Sequence, residues 1–201
     1  TVKIPAREIV RKKPKLDLDH FFLTRAWLMA INICLFGLCW GVMSNYVALY
    51  AEEKLGITDG TGIFFAILSG GLVLSRLSGH KSLRDGNITG SCAIGVCLSL
   101  AGYALFAAVP APWAYYVSAF LIGLGNGRMY PAFLNMFVKT ARHDQRGTAN
   151  SSILISWDFG MGLGILTGGV MAEYLGFRAA FWPVAAIQCT GTLMFLLCTR
   201  T

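Results

Sequence analysis

Six apolar runs, each near the roughly 20 residues an α-helix needs to cross a bilayer, dominate the chain. They lie at about 27–50, 62–79, 88–109, 113–137, 148–172 and 179–198. Short polar segments separate them: EEKLGITDG, HKSLRDGN, PAP, KTARHDQRG and EYLGFR. In hydrocarbon an unpaired backbone N–H or C=O is costly, and a helix pairs its own, so each run predicts a transmembrane helix. Composition agrees, with 55% hydrophobic and only 13% charged residues, against about 25% charged in an ordinary soluble domain. The expected product is an all-α membrane protein. A basic cytoplasmic linker over 1–25 precedes a six-helix transmembrane bundle over 26–201.

The cations orient that bundle. With the N-terminal segment cytoplasmic, that side carries 14 of the 17 Lys and Arg residues, and the opposite side carries only Lys54 and Arg178. Arg128 alone stands between. Such asymmetry is the positive-inside pattern. It predicts six crossings, both termini cytoplasmic, and a multi-pass protein of the inner or plasma membrane. It also accounts for the net charge of +7 without nucleic acid: the cations flank apolar runs and form no separate basic face. The RKKPK cluster is read first as a topology anchor and second as a contact for anionic lipid. The six cysteines lie in the predicted spans without metal-type spacing, and the three histidines fall in separate loops. No metal, cofactor or nucleophile–histidine set is expected, and so no enzyme.

Two charges fall at depth. Arg128 lies eleven residues before Lys139 at the end of run four, and Asp158 lies eleven residues after Gly147 at the start of run five. At 1.5 Å per residue both stand roughly 16 Å above the cytoplasmic boundary, near the middle of a core about 30 Å thick. Charges there face a partner or a wet cavity. Three readings stay open: an Arg128–Asp158 ion pair fastening two helices, a substrate or proton-coupling site, or a snorkelling side chain. Asn126, Asn135 and Trp157 lie near these charges, and run one adds Asn32, Trp40 and Asn45. Each amide taken singly is read first as a bridge between helices and second as a ligand contact.

The loops carry an internal echo. Gly79-x-x-x-Leu83-Arg84-x-Gly86 follows run two, and Gly169-x-x-x-Glu173-x-x-Gly176-x-Arg178 follows run five. The glycines are seven apart in both. An odd number of spans per unit inverts the second copy, so the pattern predicts two inverted three-helix repeats. Gly123 with Gly127, and Gly160 with Gly164 and Gly168, form small-residue ridges that let helices approach closely.

On these residues the chain resembles the C-terminal half, helices seven to twelve, of a major facilitator superfamily transporter of the drug- or sugar-efflux branch. GVMSNYVALYAEEKLGI is similar to the first helix of that half, and SRLSGHKSLRDG to the cytoplasmic loop signature G-x-x-x-D-R-x-G. GLGNGRMYPAFLNMF and the stretch from RGTANSSILISWDFG to GFRAAF are the strongest likeness. The resemblance implies alternating-access transport of a small organic solute, coupled to protons or another ion and directed outward. It implies a lipid-embedded protein that works with an N-terminal six-helix half, in the same or a separate chain. It places Gly79, Arg84, Asp85 and Gly86 in a gating loop, where Leu83 replaces the usual acid and Asp85 is its nearest substitute. Asp158 falls on a frequent acidic position, whereas Arg128 stands where relatives are apolar. The other reading is a six-span assembly or sensor module that does not transport.

Overall fold

The computed structural model describes residues 22–84 and 86–199. Most of the basic segment 1–25 lies outside these residues. Six long helices form: α1 (Trp27–Leu55), α2 (Thr61–Arg84), α3 (Ile88–Ala108), α4 (Pro112–Thr140), α5 (Arg146–Leu175) and α6 (Phe177–Cys198). They cover the apolar runs to within a residue, and all but α3 continue past them, α1 through Glu52, Glu53 and Lys54. Local signals set their ends. Gly56 closes α1 in the left-handed region at φ 65°, a backbone state glycine adopts without steric cost, and the next N–H, of Ile57, donates to the Ala51 carbonyl at 3.0 Å. Asn87 caps α3 by accepting from the Gly90 N–H at 3.0 Å. Pro112 stands at the start of α4, where its missing N–H costs nothing.

Five of the six helices are long and apolar enough to cross a membrane. The exception is α4, 29 residues long but diluted by Asn126, Arg128, Asn135 and four glycines or prolines around them. Two of these polar groups are met by neighbours, Asn126 by Ser99 of α3 and Arg128 by Ser78 of α2. Trp27, Trp113 and Trp182 are exposed near helix ends, as expected for rings at a membrane interface.

Consecutive helices barely touch at α1–α2 and α2–α3. The broad interfaces are α1–α5, α2–α4 and α3–α4, with α6 lying across α1 and α3. Close approach is made by reciprocal small residues. A Cβ on Gly37 would overlap the Trp157 carbonyl, and one on Gly160 the Cys34 carbonyl; Gly41 and Gly164 repeat the arrangement one turn on, against Met161 and Leu38. The α2–α4 contact has the same form. Gly71 faces the Phe120 carbonyl and Gly123 the Leu68 carbonyl. One turn on, Gly127 lies against Leu72 and Ser75 Oγ donates to the Leu124 carbonyl at 2.5 Å.

Two apolar cores fill the space between. One is aromatic, with Phe106 and Phe181 centroids 4.6 Å apart, Tyr50 and Phe106 at 4.9 Å and Phe64 and Tyr115 at 4.6 Å. The other gathers Ile33, Phe36, Val96, Met129, Phe133, Phe137, Ile153 and Phe195 at the end where α1 begins.

Candidate functional site

Arg128 and Asp158 are brought to the middle of adjacent helices but not to each other. The Arg128 side chain is half-buried, and its Nη2 donates to Ser78 Oγ on α2 at 3.0 Å. Its stem covers Gly79, where an added Cβ would meet Arg128 Cγ at 3.3 Å, and it also borders Gly95 of α3. Asp158 is exposed on α5. Among the described residues no ion pair joins the two; the one such pair is Glu53–Lys54 at the far end of α1. Where the ion-pair reading had Asp158, Arg128 instead has a bond to a serine. The reason is azimuth. Tyr130 of α4 meets α5, its ring edge-on to Trp157 at 5.5 Å. Two residues along a helix turn about 200°, so Arg128 points to the opposite side of α4, toward α2 and α3.

This gives a quantitative expectation. Arg128→Met and Ser78→Ala should couple by about 1 kcal/mol in a double-mutant cycle, while Arg128→Met and Asp158→Asn should add within about 0.5 kcal/mol. Denaturation of the purified protein in detergent measures both. Coupling of Arg128 to Asp158 larger than to Ser78 would contradict the geometry.

The remaining predicted residues divide into bridges and exposed groups. Asn32 is buried, and its Nδ2 donates to the Gly191 carbonyl of α6 at 2.9 Å. Asn126 is buried, and its Oδ1 accepts from Ser99 Oγ of α3 at 3.3 Å. Both fasten helices. Asn45 and Asn135 are exposed and donate within their own helices, to the Gly41 and Pro131 carbonyls, each at 2.9 Å. Trp40 is half-buried against the aromatic core. Trp157 is half-buried, and its partner Tyr130 lies within electrostatic reach of Asp158. Near the middle of α4 and α5, then, Tyr130 meets Trp157, the chain neighbour of Asp158.

Of the loop residues, Gly79 lies under Arg128, and Gly86 takes φ 83° before α3, the left-handed region that favours glycine. Arg84 is the last residue of α2. Asp85 lies outside the described residues.

Two contacts have no advance signal in the sequence. Ser78, next to the loop glycine, carries the Arg128 bond. Tyr46 donates its hydroxyl to the Ile165 carbonyl of α5 at 2.7 Å, with its ring and hydroxyl against Gly168 and Gly169. Small side chains at 168 and 169 make that bond possible, but periodicity alone does not link them to a tyrosine on α1.

On α5 the exposed surface has two parts. Leu154, Ile155, Phe159, Leu166 and Val170 are large, apolar and exposed, a surface suited to lipid. Ser151 and Asp158 are exposed, and Gly162 has open space around it. These three recur at helical spacings of seven and four residues and so share one stripe.

Comparison with known proteins places this arrangement. The family model of the Major Facilitator Superfamily matches residues 1–164 and 84–201. The chain is 28% identical over 159 residues to the multidrug resistance protein MdtH of Salmonella paratyphi B and of Salmonella newport, covering 79% of this chain and 34% of each relative. It therefore spans about a third of the length of these curated relatives. A crystal structure of a mutant of the peptide transporter POT in complex with sulfate shares the fold, with a TM-score of 0.74 at 18% identity, covering 86% of this chain and 37% of that one.

Proposed function

The chain belongs to the Major Facilitator Superfamily, and from that membership we propose that it carries out secondary active transport of a small organic solute as proton-coupled efflux by alternating access. The observation that carries this reading is Asp158: a carboxylate at the middle of an apolar helix, exposed, without an ion-pair partner among the described residues. An intramembrane acid of this kind calls for a wet cavity or a partner outside the bundle. Trp157 and Tyr130 beside it supply ring surface for an organic solute. The multidrug resistance relatives support efflux of a foreign organic compound.

The same reading extends to the architecture. The Gly37/Gly160 and Gly41/Gly164 contacts of α1–α5 correspond to the Gly123/Gly71 and Gly127/Ser75 contacts of α4–α2, exchanging α1 with α4 and α5 with α2. That correspondence supports two inverted three-helix repeats and an α4 that crosses the membrane with the other five. We assign the chain to the second half of a twelve-helix transporter that closes its path against an N-terminal six-helix half. The excess of cations on one side supports cytoplasmic termini in the inner or plasma membrane. Gly79, Arg84, Asp85 and Gly86 serve as the gating loop, and Arg128, held over Gly79, ties α4 to that loop.

Everted vesicles containing the intact protein test the proposal. With an acid interior they should accumulate members of a panel of small organic solutes and release them when nigericin collapses the pH difference. Accumulation that persists after the collapse removes proton coupling, and no accumulation above protein-free vesicles removes transport.

A further inference from the structure

Lys54 and Arg178 are the two cations at the end of the bundle where α1 leads to α2 and α5 leads to α6. They come from distant parts of the chain, yet both line one cavity of about 350 Å³, whose wall is completed by Leu175, Gly176, Ala179 and Trp182. Both also lie within electrostatic reach of Tyr50, so their convergence does not rest on the cavity alone. Their states differ. Lys54 pairs with its neighbour Glu53, whereas Arg178 is exposed and forms no ion pair among the described residues. The Arg178 guanidinium is thus left as an unpaired positive charge in the cavity wall. Helix α6 adds to it, since it begins beside the cavity without a side-chain cap. Its first N–H groups have no partner within the helix, and the helix dipole is positive at that end.

Beside these donors the wall is apolar. Leu175 and Trp182 line the cavity and are exposed, and Trp182 stands near a span end, where indole rings favour the membrane interface. A small soluble anion would leave that apolar rim in water. A phospholipid covers it, with its phosphate at the cations and its chains alongside.

We propose that this cavity holds the phosphodiester of an anionic phospholipid from the membrane leaflet at this end of the bundle. The planar Arg178 guanidinium donates to the phosphate oxygens, the Lys54 ammonium faces the same group, and Leu175 and Trp182 receive the glycerol and the first methylenes. A choline headgroup carries its own cation, which neutralises its phosphate, so the site favours phosphatidylglycerol over phosphatidylcholine.

Quenching by brominated lipid tests the site. The intact protein is reconstituted in phosphatidylcholine vesicles that contain a minor, equal fraction of phosphatidylglycerol or phosphatidylcholine brominated on the upper acyl chain. The Trp182 signal is the difference between wild-type and Trp182→Phe protein. Brominated phosphatidylglycerol should occupy the site with about tenfold higher relative affinity. Lys54→Gln with Arg178→Gln should make the two lipids equal, and Arg178→Lys should retain most of the preference. Equal quenching of Trp182 by the two lipids in the wild-type protein overturns the proposal, whatever the variants do. A preference that survives in the double variant overturns it as well. Loss of the preference on adding glycerol 3-phosphate assigns the cavity to a free phosphate and overturns the lipid.

Discussion

Asp158→Asn is expected to reduce proton-driven solute flux in everted vesicles to the level of protein-free vesicles. The substitution keeps the size and hydrogen-bonding ability of the side chain and removes only its capacity to exchange a proton. Asp158 is exposed on α5 and makes no ion pair among the described residues, so no paired charge is left behind and the fold should persist. Flux that responds to the pH difference as in the wild type would show that the coupling proton is carried elsewhere. Retained solute exchange at equal pH, with driven flux lost, would place the effect on coupling and not on binding.

Gly160→Leu is expected to prevent formation of the native bundle. Position 160 lies directly against the Cys34 carbonyl of α1, and the obstacle is backbone, which cannot turn away as a side chain can. Overpacking of an ordinary core costs about 1–3 kcal/mol. Here α1 and α5 would have to separate along one of the three broad interfaces among the described residues, and a loss above about 3 kcal/mol follows. The readout is monodisperse protein after detergent extraction and its thermal midpoint. Gly147→Ala is the matched control. No atom lies within 4 Å of a Cβ there, and replacing a helical glycine by alanine stabilises by up to about 1 kcal/mol. Equal tolerance of the two substitutions would disprove the close-packing account of α1–α5.

The places of Arg128 and Asp158 along their helices were readable by counting residues from the loops, because rise per residue is fixed in a helix. Their facing was not. Depth is a one-dimensional quantity, whereas contact also needs the rotation of each helix about its axis. That rotation turns Arg128 toward Ser78 of α2 and leaves Tyr130 to meet Trp157 of α5. The same gap explains the amides. Asn32 and Asn126 lie on helices that line the path in the resemblance, yet they bond to α6 and α3. Asn45 and Asn135 bond within their own helices.

The sequence by itself determined that the chain is helical and membrane-embedded, and where its six helices lie. Hydrocarbon offers no hydrogen bonds, so apolar length and polar interruption decide those features locally. The tertiary structure alone decided which faces meet. In lipid an apolar surface gains nothing by turning inward, so α1 and α5 carry no amphipathic stripe to show their orientation. Their packing rests on where a glycine lets one backbone reach another: Gly37 with Gly160, Gly41 with Gly164, and Gly71 with Gly123. Those contacts require two distant segments at once, and they leave Asp158 on the open face while taking Arg128 into the bundle.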